Sequence, residues 1–313
     1  MRRAFAALVV VLALALPGTA GAHLRTGKSA VDFRAHVTRG PLEAVDVRIY
    51  RSDLAVGLTV RPGHKVVVLG YLGEPFLRMR QNGVSVVATS PTAAGARVAS
   101  HGRSAVWHDA RVRGLPSGVD RGEWSVPLLV DGRRTHLVGE IERVPRPPLG
   151  PWIALGVVFA GSAALLLARR RPRALRIATV TLGALAAMAT LVTAIGFAVA
   201  STASADSWIE SANEAAVVLV GAVFLVRGSL DVKALAGGTL GLIAIAVALT
   251  RLPVLFHEIV LSALPGEAAR LAVALALAAG AAAAILGVVV FFDVLEHYEE
   301  PELARLRRWR DDA

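Results

Sequence analysis

RVPRPPLGPWIALGVVFAGSAALLLARRRPRALR, residues 143–176, holds the change of character that decides the fold. Pro145, Pro147, Pro148 and Pro151 stiffen its start and stop strand pairing. Trp152 follows, an amphipathic ring of the kind that settles at a membrane–water interface. An unbroken apolar run comes next, close to the ~20 residues needed to cross a hydrocarbon core. It stops at the basic tract RRRPRALR, residues 169–176. Upstream of this stretch the chain reads as β structure, and downstream as membrane helices.

Composition agrees with a membrane protein. Of the 313 residues 55% are hydrophobic, and the mean hydropathy is +0.57, too apolar for an ordinary soluble domain. The formal net charge of +10 is spread along the chain rather than gathered in one tract, so Lys and Arg report topology first and no nucleic-acid partner is expected. This chain has no cysteine, which excludes disulfides, thiolate metal sites and a Cys nucleophile within it. Its three methionines are too few for a Met-rich copper(I) site.

Residues 1–22 read as a secretory signal: Arg2 and Arg3, an apolar core, then Ala20-Gly21-Ala22 as an A-x-A cleavage pattern. Cleavage there leaves His23 as the first mature residue. Residues 23–147 read as an exported all-β domain. VDVRIY and LAVGLTV alternate apolar with polar or small residues, and KVVVLGYL is a more continuous strand. Asn82-Gly83 and Asp131-Gly132 are favoured type I′ hairpin pairs. Pro127 marks an edge or a bulge. Seven or eight short strands suit an immunoglobulin-like sandwich, followed by a Pro-rich linker at 148–151.

The membrane domain, 152–300, is expected to be a bundle of five transmembrane helices, with apolar segments near 152–168, 176–200, 214–226, 234–250 and 269–292. The tract at 169–176 is strongly basic, whereas the next loop has no Lys or Arg and carries Asp206, Glu210 and Glu214. The third loop has Arg227 and Lys233, and the tail at 301–313 is basic again. By the positive-inside rule loops one and three and the tail are cytoplasmic, and the β domain is extracytoplasmic. The export signal requires the same orientation independently.

Candidate chemistry is sparse. Midspan charges are nearly absent, as expected of an anchoring bundle rather than an ion path. In LFHEIVLSALP, Leu255, Phe256, Ile259, Val260 and Leu264 suit one face of a short surface helix, leaving His257 and Glu258 as a polar site at the outer face. In SAVWHDARVRG, residues 104–114, strand alternation puts Trp107 and Asp109 on one face and His108 on the other. Trp107 is expected in the core, and Asp109 nearer the rim beside Arg111 or Arg78. His108 can ligate a metal with His23, His36, His64, His101 or His136 as second ligand, and nitrogen ligands favour copper(II). A mature N-terminal His23 resembles the site of bacterial periplasmic copper-resistance domains and copper polysaccharide oxygenases. No G-x-S-x-G, H-E-x-x-H or paired-Cys pattern points to a hydrolase or a zinc site.

Two further runs carry a wider resemblance. Gly70, Tyr71, Gly73, Glu74, Pro75 and Arg78 fit a Gly-Tyr-x-Gly-Glu-Pro-Tyr-x-Arg pattern, with Phe76 in place of the second Tyr. Trp107, His108, Asp109 and Arg111 fit Trp-His-Asp-His-Arg-x-His, with Ala110 and Arg113 where that pattern has His. The chain thereby resembles a group of membrane-anchored exported proteins of high-GC Gram-positive bacteria, over most of residues 40–147. The resemblance implies an exported β domain on a helical bundle and brings no established activity. The expected function is a membrane-anchored extracytoplasmic binding or interaction protein, with copper(II) binding or delivery as the alternative. The expected partners are the bilayer and anionic lipid or cell-wall polymers.

The orientation is testable. A reporter active only in the cytoplasm should work when fused after Ala313 and stay silent when fused near Asp206; the opposite pattern overturns the five-span topology.

Overall fold

The computed structural model describes residues 29–50, 55–96, 98–112, 114–200 and 205–311; the expected signal at 1–22 and His23 lie outside them. The chain forms two compact units, Val31–Arg146 and a second built from Pro147 onward together with the segment ending at Ala30.

Among its described residues from Asp32 onward the first unit has ten strands: β1 (Phe33–Arg39), β2 (Val45–Tyr50), β3 (Ala55–Val60), β4 (Val66–Leu69), β5 (Pro75–Arg80), β6 (Gly83–Val86), β7 (Val98–His101), β8 (Ser104–Trp107), β9 (Arg121–Val130) and β10 (Arg133–Arg143). A one-turn helix, α1 (Pro91–Gly95), lies between β6 and β7. The strands make a six-stranded sheet in the order β1-β10-β9-β4-β5-β6 and a four-stranded sheet in the order β2-β3-β8-β7. Neighbours pair antiparallel throughout.

Alternation builds the core. On β9 Trp124, Val126 and Leu128 turn in while Glu123 and Ser125 turn out. The two inner faces share one core that includes Val45, Leu58, Phe76, Met79, Trp107 and Leu137. Trp107, from the four-stranded sheet, meets Phe76, from the six-stranded sheet, edge to face at 6.2 Å between centroids.

The two hairpins resolve differently. Asp131 and Gly132 are both left-handed, with φ of 51° and 85°, between the paired Val130 and Arg133, which is the expected two-residue turn. At the other, Arg80 pairs with Gly83, so Gln81 and Asn82 form the turn, one residue earlier than expected. From that turn the ladder runs back through the pairs Met79–Val84 and Leu77–Val86. Pro127 sits in a central strand, yet the β9–β4 ladder covers only Leu128–Val130, so at Pro127 the strand pairs with β10 alone. A 3-10 turn, Ala110–Val112, packs against β9, with Val112 in the shared core.

The second unit holds α2 (Gly150–Arg169), α3 (Pro172–Ala198), α4 (Ala205–Arg227), α5 (Leu230–Thr250), α6 (Pro253–Phe256) and α7 (Gly266–Asp311). All but α6 are long and apolar enough to cross a membrane, as in a multi-pass membrane protein. Helices α3, α5 and α7 are about half buried and form the centre, while α2 and α4 are nearly unburied and lie outside them. Glycine sets the central spacing. A Cβ on Gly183 of α3 would stand 2.4 Å from the Cα of Gly237 of α5, and one on Gly238 would stand 2.9 Å from the Cα of Gly287 of α7. Backbone thus rests on backbone on both sides of α5.

Ion pairs close both ends of this centre. At one end Arg176 binds Asp231 and, at 2.8 Å, Asp293. At the other Arg251 pairs with Glu214, donates to Thr193 Oγ1 at 3.0 Å and lies over the Phe197 ring. Asp231 and Arg251 bracket α5, twenty residues apart, which is about 30 Å of helix and the thickness of a hydrocarbon core.

Three readings of the membrane part change. The third span starts in the polar stretch at 205–213, and Glu214 belongs to it because Arg251 neutralises its charge inside the bundle. The expected surface helix at 255–264 is a single turn, α6, followed by extended backbone. Leu255 is buried, Phe256 is exposed, and Leu261 N–H donates to the Ser29 carbonyl at 2.9 Å. Finally, α7 runs unbroken past residue 300 to Asp311.

A leucine at Gly237 should therefore force α3 and α5 apart, at ~1–3 kcal/mol or more for overpacking. Thermal unfolding of the full chain in detergent should show a clear loss for Gly237→Leu. Gly161→Leu should show none, because a Cβ at Gly161 meets nothing within 4 Å.

Candidate functional site

The two runs singled out in the sequence meet at one corner of the β unit. Between β4 and β5 the chain turns through Gly70–Glu74: Gly70 N–H donates to the Glu74 carbonyl at 2.7 Å, and Gly73 takes a positive φ of 81°. The Glu74 side chain then folds back into the turn. Its Oε1 accepts from the hydroxyls of Ser90 and Thr92, both at 2.7 Å, and from Thr92 N–H at 3.2 Å. Its Oε2 accepts from Leu72 N–H at 3.0 Å. Thr92 Oγ1 in turn accepts from Tyr71 N–H at 2.9 Å. A side chain at Gly70 would displace this carboxylate, since a Cβ there lies 2.1 Å from Oε1. The hydroxyls of Thr92 and Ser90 hold the Glu74 carboxyl down to about 2.

The second run leaves β8 at Trp107 and folds onto itself. Asp109 Oδ2 accepts from Trp107 Nε1 at 3.0 Å and Arg111 Nη2 at 2.7 Å, while Oδ1 accepts from Arg111 N–H at 3.0 Å and Nε at 2.9 Å. Asp109 is only 2% exposed, so the expectation of a rim position is corrected: the carboxylate is inside, with Arg111 as its partner. The strand ends at Trp107, and the following turn swings Asp109 back under the indole. Burial pushes the Asp109 carboxyl up, but the hydrogen-bonded Arg111 and the Trp107 indole carry it net below the usual carboxylate value.

Arg111 and Tyr71 join the runs. Arg111 Nη1 donates to the Leu69 carbonyl at 3.2 Å, the guanidinium lies 5.0 Å above the Tyr71 ring, and Ala110 N–H donates to the Tyr71 hydroxyl at 2.8 Å. Sequence reasoning named Glu74 and Tyr71 only as parts of a pattern, and Arg111 also as one of two partners for Asp109. The Gly-x-x-Gly-Glu spacing was the available signal that a carboxylate returns into a tight turn.

The corner leaves a tip in solvent. Tyr71 is half exposed and Leu72 is 79% exposed; on the other run His108, next to Asp109 in sequence, is exposed as well. Both carboxylates are filled by protein donors, so the corner braces a surface rather than supplying an acid or base.

Three of the other histidines have partners of their own: His36 faces Glu140 at 3.8 Å, His64 Nδ1 binds Asp131 at 2.8 Å, and His136 Nδ1 meets Ser125 Oγ at 3.1 Å. His101 ends β7. Among the described residues no group of three metal-ligating side chains gathers. His136 and Ser125 line an open cleft of about 760 Å³ with Arg39, Glu43 and Glu123.

In the membrane unit His257 and Glu258 are held by a residue that sequence reasoning left out. Arg270, 2% exposed, donates through Nη2 to the carbonyls of His257 at 3.0 Å and Glu258 at 2.6 Å, and to the Glu258 carboxylate at 3.2 Å. Its Nη1 binds Glu267 at 2.6 Å. The pair therefore sits in a clamp that ties the loop after α6 to α7.

Arg111→Ala should cost the β unit ~3–5 kcal/mol, because it strands a buried carboxylate. The double change with Asp109→Ala should cost less than the two singly changed proteins together, as read by thermal unfolding of the full chain. Glu74 has a lowered carboxyl, so its contribution is full above about 4.5 and fades as pH falls toward about 2. Glu74→Gln should flatten the acid side of the stability curve across that window.

Comparison with known protein families, curated proteins and solved structures finds no match.

Proposed function

We propose that this chain is an extracytoplasmic binding module anchored in the membrane. In this reading residues 1–22 are a cleaved export signal, the β unit is an immunoglobulin-like sandwich outside the cell membrane, and the basic 301–313 tail faces the cytoplasm. The β sheets joined to five apolar helices support it, as does the alternation of basic and acidic loops. The same two runs that carry the resemblance to membrane-anchored exported proteins of high-GC Gram-positive bacteria form the braced corner.

The observation that carries the reading is the tip itself. A turn fixed at every bend by Glu74, Thr92 and Arg111 holds Tyr71 and Leu72 out into water. Apolar surface presented on a rigid frame is what a recognition site requires. Residues 23–147 also carry 19 Lys and Arg against 11 Asp and Glu, a surplus of 8 positive charges. An anionic partner, lipid headgroup or cell-wall polymer, fits that balance.

The test uses the full chain in neutral nanodiscs and an anionic wall polymer or phosphatidylglycerol vesicles as probes. Retention should be strong at low salt and fall as screening shortens to ~8 Å near physiological ionic strength. Leu72→Glu, at the 79% exposed tip, should lower it at least tenfold without moving the melting temperature. Equal retention on neutral vesicles removes the reading. Copper(II) calorimetry on the same protein tests the alternative: tight binding lost with His108→Ala or a blocked His23 amine would put copper in place of the anionic partner.

A further inference from the structure

The outer face of the six-stranded sheet is segregated by charge. Leu77 and Met79 of β5 and Val66 and Val68 of β4 are fully buried, so alternation turns Arg78, Arg80, Lys65 and Val67 to the other face. The buried Leu128 and Leu137 place Leu129 and Arg134 there in the same way. Register sets four of these in one row across β5, β4, β9 and β10: Arg78 is opposite Val67, Val67 opposite Leu129, and Leu129 opposite Arg134. At ~4.8 Å per strand the two arginines start about 14 Å apart, and Val67 and Leu129 lie partly buried between them. Arg80 extends the line of Arg78, and Lys65 extends that of Val67, toward the Asp131-Gly132 turn.

This charge is unanswered among the described residues. Arg78, Arg80 and Arg134 are exposed and pair with no carboxylate there. Asp131, on the adjoining turn, is already bound by His64 Nδ1 and Lys65 N–H, both at 2.8 Å. The carboxylates of this face stand toward its far end, with Glu123 opposite Glu140 and Arg121 opposite Glu142. From Leu129 to Glu123 is six residues of strand, or about 20 Å.

The arrangement suits a single chain better than a plane. A chain lying along β4 covers Val67 and Leu129 and is reached by arginines from both sides. A bilayer surface resting on the tips of Arg78 and Arg134 would leave the apolar floor uncovered. Arginine's planar fork binds a phosphate through two N–H groups at once. On the reading that the partner is anionic, we propose that its charge is met at this row, and that the partner is a polymer of phosphodiesters joined by short carbon links. Its phosphates meet the arginines, its links cross the Val67–Leu129 floor, and it runs along β4 toward the Tyr71–Leu72 turn.

Full-length protein in neutral nanodiscs is titrated into fluorescent poly(glycerol phosphate), with binding read by anisotropy at several salt concentrations. Four cations meeting four phosphates should give a slope of about −3 in log affinity against log salt, by the counterion release of a single-stranded polyanion. Arg78→Gln with Arg134→Gln should weaken binding at least tenfold at low salt and flatten that slope by about 1.4. Arg34→Gln with Arg121→Gln removes the same charge from the far end of the face and should change neither. Leu129→Thr should weaken poly(glycerol phosphate) severalfold and leave inorganic polyphosphate, which has no carbon links, unaffected. Binding that survives the Arg78 and Arg134 changes, falls equally with those at Arg34 and Arg121, or responds to Leu129→Thr alike in both polymers overturns the proposal. So does retention on phosphatidylglycerol vesicles without binding of the polymer, which leaves the anionic reading standing with lipid as the partner. A parent protein that binds no anionic probe ends both.

Discussion

Asp109 is a charged group placed inside the β unit, and the corner is organised around keeping it there. A carboxylate taken from water costs several kcal/mol unless its lone pairs are filled. Trp107 and Arg111 supply four donor contacts, and each donor is itself positioned by the fold. Trp107 belongs to the four-stranded sheet and meets Phe76 of the six-stranded one. Arg111 reaches the end of β4 through the Leu69 carbonyl. The turn at Ala110–Val112 packs against β9. One buried charge thus ties the two sheets together at this end of the core.

The membrane unit uses the same device at larger scale. Its centre is Gly and Ala, which allow close approach but carry no directional contact that would fix one helix against another. Direction comes from the ends, where Arg176, Arg251 and Arg270 each gather side-chain or carbonyl oxygens from two or more segments. Arginine suits this role because its planar fork binds several oxygens at once and stays charged when buried. The ~30 Å between the two layers leaves an uninterrupted apolar band for lipid.

These two forms of bracing bear on function differently. In the bundle the charges face inward and bind neighbouring helices. In the β unit the brace faces inward but its product faces outward, because the turn held by Glu74 and Arg111 ends in Tyr71 and Leu72. Rigid support behind an exposed apolar tip lowers the ordering cost of binding.

Much of the architecture was legible in the residues. Period-two alternation, apolar runs of span length and the proline-rich joint at 145–151 place β structure and five helices, because burial on one face or in lipid imposes its own period on a sequence. The Asp131-Gly132 turn was legible for the same local reason: both residues must be left-handed. Other features were decided only by tertiary contacts. The third span absorbed Glu214 because Arg251, thirty-seven residues away, neutralises it. The single turn at Pro253–Phe256 gives way to extended backbone whose carbonyls Arg270 takes. At the corner, the sequence named Gly70 to Pro75 and Trp107 to Arg111 as two separate runs, and only the packing of one sheet on the other brought Tyr71 beneath Arg111. Local patterns encode what each residue requires of water and of its own backbone; which charge meets which carboxylate depends on long-range geometry, and that geometry exists only once the two cores have formed.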